Sequence, residues 1–136
     1  MSRLYIDTNL FINVINDEVS MHSNKNMAEP ASRLFLDSIS CKHTLIISTW
    51  TLTELYRILS PERCKMTLEI LKKKIILCKY STEEEIDAKK RCPYHFQDAL
   101  HIIIAERENA ECIVTRNIDD FLRIGTRIIV KKPELL

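Results

Sequence analysis

Residues 4–11 read LYIDTNLF. Leu4, Tyr5 and Ile6 fit a short buried strand, Asp7 ends it at once, and Thr8 and Asn9 lead into an apolar-periodic stretch. The chain repeats this grammar. TLIIS at 44–48, IILCKY at 75–80, CIVT at 112–115 and RIIVKK at 127–132 read as four further strands, after the first at 3–6. Helical patterns fill the intervals. Thr8 opens a short helix over 9–17, and DEVSMHSNKN, 17–26, reads as a loop. Residues 27–39 place Ala31, Leu34, Phe35 and Ile39 at helical spacing, with Pro30 in the first turn, where proline is tolerated. Residues 49–59 put Leu52, Leu55 and Leu59 on one face. Ser60-Pro61-Glu62 starts a helix reaching about Lys74. Ser81 or Thr82 caps a charged helix with Glu83, Glu84 and Glu85 in its first turn, and Pro93 breaks it. Residues 94–108 form a long helix, apolar nearly all round between Ala99 and Ala105, and therefore buried. NIDDFLRI, 117–124, is a turn or short helix. Strands alternating with helices imply an α/β fold: a five-stranded, mainly parallel sheet in a three-layer α/β/α sandwich.

Composition narrows the class. A chain of 136 residues with 46% hydrophobic content suits one domain spanning 1–136. No apolar run approaches the ~20 residues of a membrane span. The N-terminal residues lack the apolar stretch of a secretory signal, so a cytoplasmic location is expected. Five scattered cysteines without a C-x-x-C pair suit reduced thiols rather than zinc or disulfides. A single glycine, Gly125, excludes Gly-rich phosphate loops and argues against an all-β protein. The net charge of +1 does not announce a polyanion partner. Such a partner would need local basic runs, of which there are three: Lys72-Lys73-Lys74, Lys89-Lys90-Arg91 and Lys131-Lys132.

Ligands of open parallel sheets sit beyond the carboxyl ends of the strands. Asp7 follows strand one, and Glu54 lies a turn or two into the helix after strand two. Asp98 opens the buried helix that leads into strand four, and Thr115, Asn117, Asp119 and Asp120 follow that strand. Each acid alone has an ordinary explanation: Asp7 as a helix cap, Glu54 paired with Arg57 one turn on, Asp98 as a cap or ion-pair partner. Together they repel, at about 4 kcal/mol for two charges ~4 Å apart at an effective dielectric of 20. A counter-ion resolves this, and all-oxygen ligands suit Mg²⁺ or Mn²⁺.

At these residues the chain resembles the PIN-domain ribonucleases, in size and motif the VapC-type toxins of toxin–antitoxin pairs. YIDTNLF is similar to the family's first motif, STWTLTELYR to its second, QDALHIIIAE to its third and IVTRNIDDF to its fourth. The resemblance implies a PIN-like fold and divalent-metal-dependent RNA cleavage leaving a 5′-phosphate and a 3′-hydroxyl. Asp7, Glu54, Asp98 and Asp120 would be the catalytic acids holding one or two Mg²⁺ or Mn²⁺ ions. Thr8, Asn9, Ser48, Thr115 and Asn117 would orient waters or carboxylates around them, and Arg57, Arg116 and Arg123, near the motifs in sequence, would either contact RNA phosphate or pair with the acids. It further implies a homodimer and inhibition by a small antitoxin protein, while the lack of a long apolar run predicts no membrane partner. Asn117 stands where many members carry aspartate, which favours Asp120 as the fourth acid, with Asp119 beside it. His101 reads as a packed or surface histidine with no role, and His95 as a neighbour of Asp98 able to meet substrate.

Three other readings compete. One is a PIN-fold RNA-binding or scaffold protein with weak or no turnover, because Asn117 replaces a common aspartate. Another is an RNA-processing nuclease outside a toxin–antitoxin pair. The third is a haloacid-dehalogenase-like phosphatase. It is disfavoured because Asn9 occupies the second position of its D-x-D pair.

Overall fold

A computed structural model of the chain describes residues 2–16, 33, 37 and 42–136. The loop expected at 17–26 and most of the helix expected at 27–39 lie outside these residues. In chain order the described elements are β1 (Ser2–Ile6), α1 (Thr8–Asn16), β2 (His43–Ser48), α2 (Thr49–Ile58), α3 (Pro61–Leu71), β3 (Ile75–Cys78), α4 (Thr82–Arg91), α5 (Phe96–Arg107), β4 (Cys112–Val114), α6 (Ile118–Ile124) and β5 (Ile129–Lys131). No described helix is long and apolar enough to cross a membrane. Cys64, Cys78, Cys92 and Cys112 are free thiols.

Alternation along the strands builds two cores. Leu4 and Ile6 point to one face of the sheet, and Tyr5 points to the other. Leu45 and Ile47 oppose Ile46 in the same way, as Cys112 and Val114 oppose Ile113. The first core packs under Leu10 and Phe11 of α1, Leu55 of α2 and Cys64 of α3. The second packs under Ala88 of α4, Ala99, Leu100 and Ile102 of α5 and Phe121 of α6. Helices thus cover both faces, as the near-continuous apolar strands require.

Local signals set the helix starts. Ser48 caps α2, its Oγ accepting from Thr51 N at 3.2 Å while Thr51 Oγ1 accepts from Ser48 N at 3.4 Å. Ser81, rather than Thr82, caps α4 through a reciprocal pair with Glu84. Several ends differ from the periodicity. β3 stops at Cys78 because its partner stops there, Ser48 pairing with Cys78. β5 begins at Ile129, opposite the first residue of β4. The helix expected from 94 begins as a 3₁₀ turn at Pro93–His95, and α5 proper starts at Phe96. The helix expected to reach Lys74 ends at Leu71 and tightens into a 3₁₀ turn over Lys72–Lys74 before Ile75 pairs with Leu45.

The sheet order is β3-β2-β1-β4-β5, and every pairing is parallel. The chain therefore builds outward from β1 through β2 to β3, then returns to the other side of β1 for β4 and β5. The order reverses between β1 and β4, and in open parallel sheets ligands bind at such a point, beyond the strands' carboxyl ends. Asp7 is the residue after β1 and Thr115 the residue after β4. Asp7 N donates to Val114 O at 3.0 Å, joining the two strand ends across the reversal.

Candidate functional site

Asp7 occupies the cap position of α1, since Leu10 N donates to its carbonyl at 3.2 Å. Its carboxylate caps nothing in the usual sense. Oδ1 accepts from Thr8 N at 2.8 Å, and Oδ2 reaches across to accept from Thr115 Oγ1 at 2.7 Å. Only 4% of Asp7 is exposed. Burial raises its pKa above the usual carboxylate range, while the charge of His101 and the Thr115 and Thr8 hydrogen bonds oppose the rise.

Glu54 comes from α2 on the opposite wall. Its Oε1 accepts from Thr8 Oγ1 at 2.7 Å and lies 2.7 Å from His101 Nε2. Burial works to raise the Glu54 carboxyl too, but the His101 hydrogen bond and charge, the Thr8 hydroxyl and Arg57 together hold it below the ordinary value. The two acids differ first in burial, Asp7 being enclosed and Glu54 partly open to solvent, and then in that His101 touches Glu54 but only approaches Asp7, its Nε2 standing 3.7 Å from Asp7 Oδ1.

His101 is 1% exposed on the inner face of α5. Burial disfavours its charge, yet Tyr5, Glu54 and Asp7 around it prevail and raise its pKa well above the usual imidazole value. The acids around it thus favour its protonated form. Behind it, Nδ1 lies 2.6 Å from Tyr5 OH, which lies 3.0 Å from Ser48 Oγ, itself 3.3 Å from Thr51 Oγ1. With both ring nitrogens protonated, Nε2–H donates to Glu54, Nδ1–H to the Tyr5 oxygen, and the Tyr5 hydroxyl to Ser48. A buried polar chain satisfied at each link holds a rigid position.

Asp98 and Asp120 make the outer half. Asp98 lies in the first turn of α5, and Asn117 Nδ2 donates to its Oδ2 at 3.2 Å. Burial, the charge of Asp7 and then those of Asp120 and Glu54, partly countered by His101, push its pKa up to about 6. Ligand atoms of His95, Asp98 and Asp120 lie within 4.8 Å of one another. Asp119, next to Asp120, is exposed and outside this group. Arg123 NH1 approaches Asp120 Oδ1 at 3.7 Å.

The other residues singled out in the sequence divide. Thr8, Thr115 and Asn117 each bind an acid, as above. Ser48 serves the back of His101 rather than an acid, and Asn9 is exposed on α1. Arg57 lies over the Trp50 ring at 5.9 Å. Arg116 Nε donates to Asn13 Oδ1 at 2.7 Å and its NH1 donates to Glu134, so it braces α1 against the C-terminal turn. Arg116 and Asn117 also line a cleft of about 350 Å³ with Lys131 and Lys132. His101 and Tyr5 were not legible as site residues. The available signal was a titratable residue inside the apolar stretch Ala99–Ala105 of α5, one turn after Asp98 on the same face.

The fold and these residues identify the class: the sequence matches the PIN domain family over residues 3–119, and the chain belongs to that family. Among solved structures it is similar to VapBC2 from Rickettsia felis bound to a promoter DNA fragment, with 20% identity, a TM-score of 0.61 and coverage of 96% of this chain and 98% of that one. It is also similar to Mycobacterium tuberculosis VapC20, described as a Sarcin-Ricin loop cleaving toxin. There the identity is 17% and the TM-score 0.64, over 90% of this chain and 95% of that one. VapBC-1 from nontypeable Haemophilus influenzae gives 17% identity and a TM-score of 0.60, over 97% and 98% of the two chains. At these identities the shared property is the fold. No curated protein matches the sequence.

Proposed function

We propose that the chain is a divalent-metal-dependent endoribonuclease acting as the toxin of a toxin–antitoxin pair. The observation that carries the reading is the convergence of Asp7, Glu54, Asp98 and Asp120 on the point where strand order reverses. Three different helices and one strand end supply these acids, at an electrostatic cost that packing alone does not explain. The donor chemistry fits Mg²⁺ or Mn²⁺, one or two ions per site, because carboxylate oxygens dominate and the outer ligand atoms are close enough to share an ion. When bound, such an ion supplies Lewis acidity for a water and for the phosphoryl group.

The protein's own residues perform the rest. Thr115 and the Thr8 amide fix the Asp7 carboxylate from two sides, so it meets a ligand without reorganising. Asn117 orients Asp98 in the same manner. His101 and Thr8 hold Glu54, and the cation on His101 offsets negative charge that would otherwise repel an incoming phosphodiester. The cleft beside Asn117 offers an RNA backbone the charges of Lys131 and Lys132, with Arg116 tied to Glu134 and Asp119 on the same lining. VapC20, the similar toxin, is described as cleaving the Sarcin-Ricin loop, and two of the similar structures are of VapBC. These support RNA as substrate and an antitoxin as partner. A homodimer and a cytoplasmic location belong to the same reading.

The test is to incubate purified protein with a mixed RNA pool and Mn²⁺ and to map the ends. Cleavage leaving 5′-phosphates, abolished by chelator and by Asp7→Asn, is expected. Cleavage that survives Asp7→Asn would point to a contaminating nuclease and leave this chain without the activity. A scaffold role is favoured by one observation, Asn117 where an acid is common, and wild-type protein that binds RNA without cutting it would establish that alternative.

A further inference from the structure

We propose that His95 is a nitrogen ligand of the metal centre and biases it toward first-row transition ions, Mn²⁺ among them, over Mg²⁺. This rests on the metal-dependent reading above and adds the identity of the ion. A purely oxygen donor set suits Mg²⁺ and Mn²⁺ alike, whereas an imidazole nitrogen favours the transition ion. His95 precedes Phe96, the first residue of α5, and occupies the cap position, but its side chain makes no capping hydrogen bond. Instead its ring lies with Asp98, three residues on, and with Asp120 of α6, all three ligand atoms falling within 4.8 Å of one another. Among the described residues nothing takes up a His95 ring nitrogen. By contrast, both His101 nitrogens are engaged, by Tyr5 and by Glu54. The turn carrying His95 is stiff: Pro93 fixes its own φ, and His95 N donates to Cys92 O at 3.3 Å. The backbone that presents the imidazole is therefore already placed, and only the side-chain torsions remain to be fixed on binding an ion.

The experiment uses the full chain with Mn²⁺ alone and Mg²⁺ alone as probes. Pulsed electron paramagnetic resonance of bound Mn²⁺ reads directly coordinated nitrogen, and calorimetry reads affinity. Wild type is expected to show the nitrogen coupling and His95→Gln to lose it. In that variant the Mn²⁺ dissociation constant should rise about tenfold, while that for Mg²⁺ changes less than about twofold. Because His95 is exposed, the variant should melt as wild type does, which circular dichroism checks. Nitrogen coupling that persists in His95→Gln, or equal loss of both ions, would overturn the assignment. Mn²⁺ bound by wild type with oxygen coupling alone would overturn it while sparing the metal reading. Wild type that binds neither ion would end both.

Discussion

His101 stands 2.7 Å from Glu54 and 3.7 Å from Asp7 with almost no access to solvent, so its charge and theirs depend on one another. Removing one member of a buried ionic group leaves the others uncompensated, a loss of about 3–5 kcal/mol. His101→Leu should lose stability of that order in urea titrations, and His101→Gln less, since an amide keeps one donor. His101→Leu as stable as wild type would mean the histidine carries no charge. Asp98 poses the opposite case. Its pKa is raised in the folded protein to about 6, so the fold holds its proton more tightly than the unfolded chain does. The ionised group is therefore a burden that is absent near pH 4, grows as pH rises and is complete above about 6. Asp98→Asn in chelator should melt with wild type near pH 4. Above pH 6 it should melt roughly 2–4 °C higher, the size of a solvent-screened charge. An unchanged difference across pH would contradict this. At this scale Asp7, Asp98 and Asp120 stand out in the sequence because each sits at a strand exit or in the first turn of a helix, and Glu54, further in, because its helix leaves the second strand. His101 does not, because its partners lie 96 and 47 residues away and periodicity carries no such information.

Ser48 shows how an element's end serves the site. Its hydroxyl caps α2 and also receives Tyr5, which in turn sits behind His101. Ser48→Ala should cost about 1 kcal/mol as a lost cap, and somewhat more if the Tyr5 hydroxyl is left unpaired in the core. Thermal melting measures it, and a loss well under 0.5 kcal/mol would show that neither bond matters. Helix starts such as Ser60 and Ser81 were readable because their signals are local. Strand ends were not. Lys79, Tyr80, Arg127 and Ile128 have strand-like neighbours, but a strand ends where its partner ends, as Cys78 and Ile129 do. Pro93 marks the break after α4, and the residues from it onward tighten into a 3₁₀ turn before α5 begins, the turn that carries His95.

At the scale of the molecule, alternating strands and helices predicted a parallel sheet, while the strand order 3-2-1-4-5 depends on which strands pair across long separations. That order puts Asp7 beside Thr115, whose hydroxyl donates to its carboxylate. The central claim is that acids from distant segments form a single cation site, with an inner pair balanced by His101 and an outer pair beside His95. Calorimetric titration of Mn²⁺ into wild type, Asp7→Asn and Asp98→Asn tests it most directly. The account predicts that each substitution alone weakens binding at least about tenfold, although one residue lies after β1 and the other opens α5. Either variant taking up Mn²⁺ as wild type does would place the inner and outer acids in separate sites and contradict it.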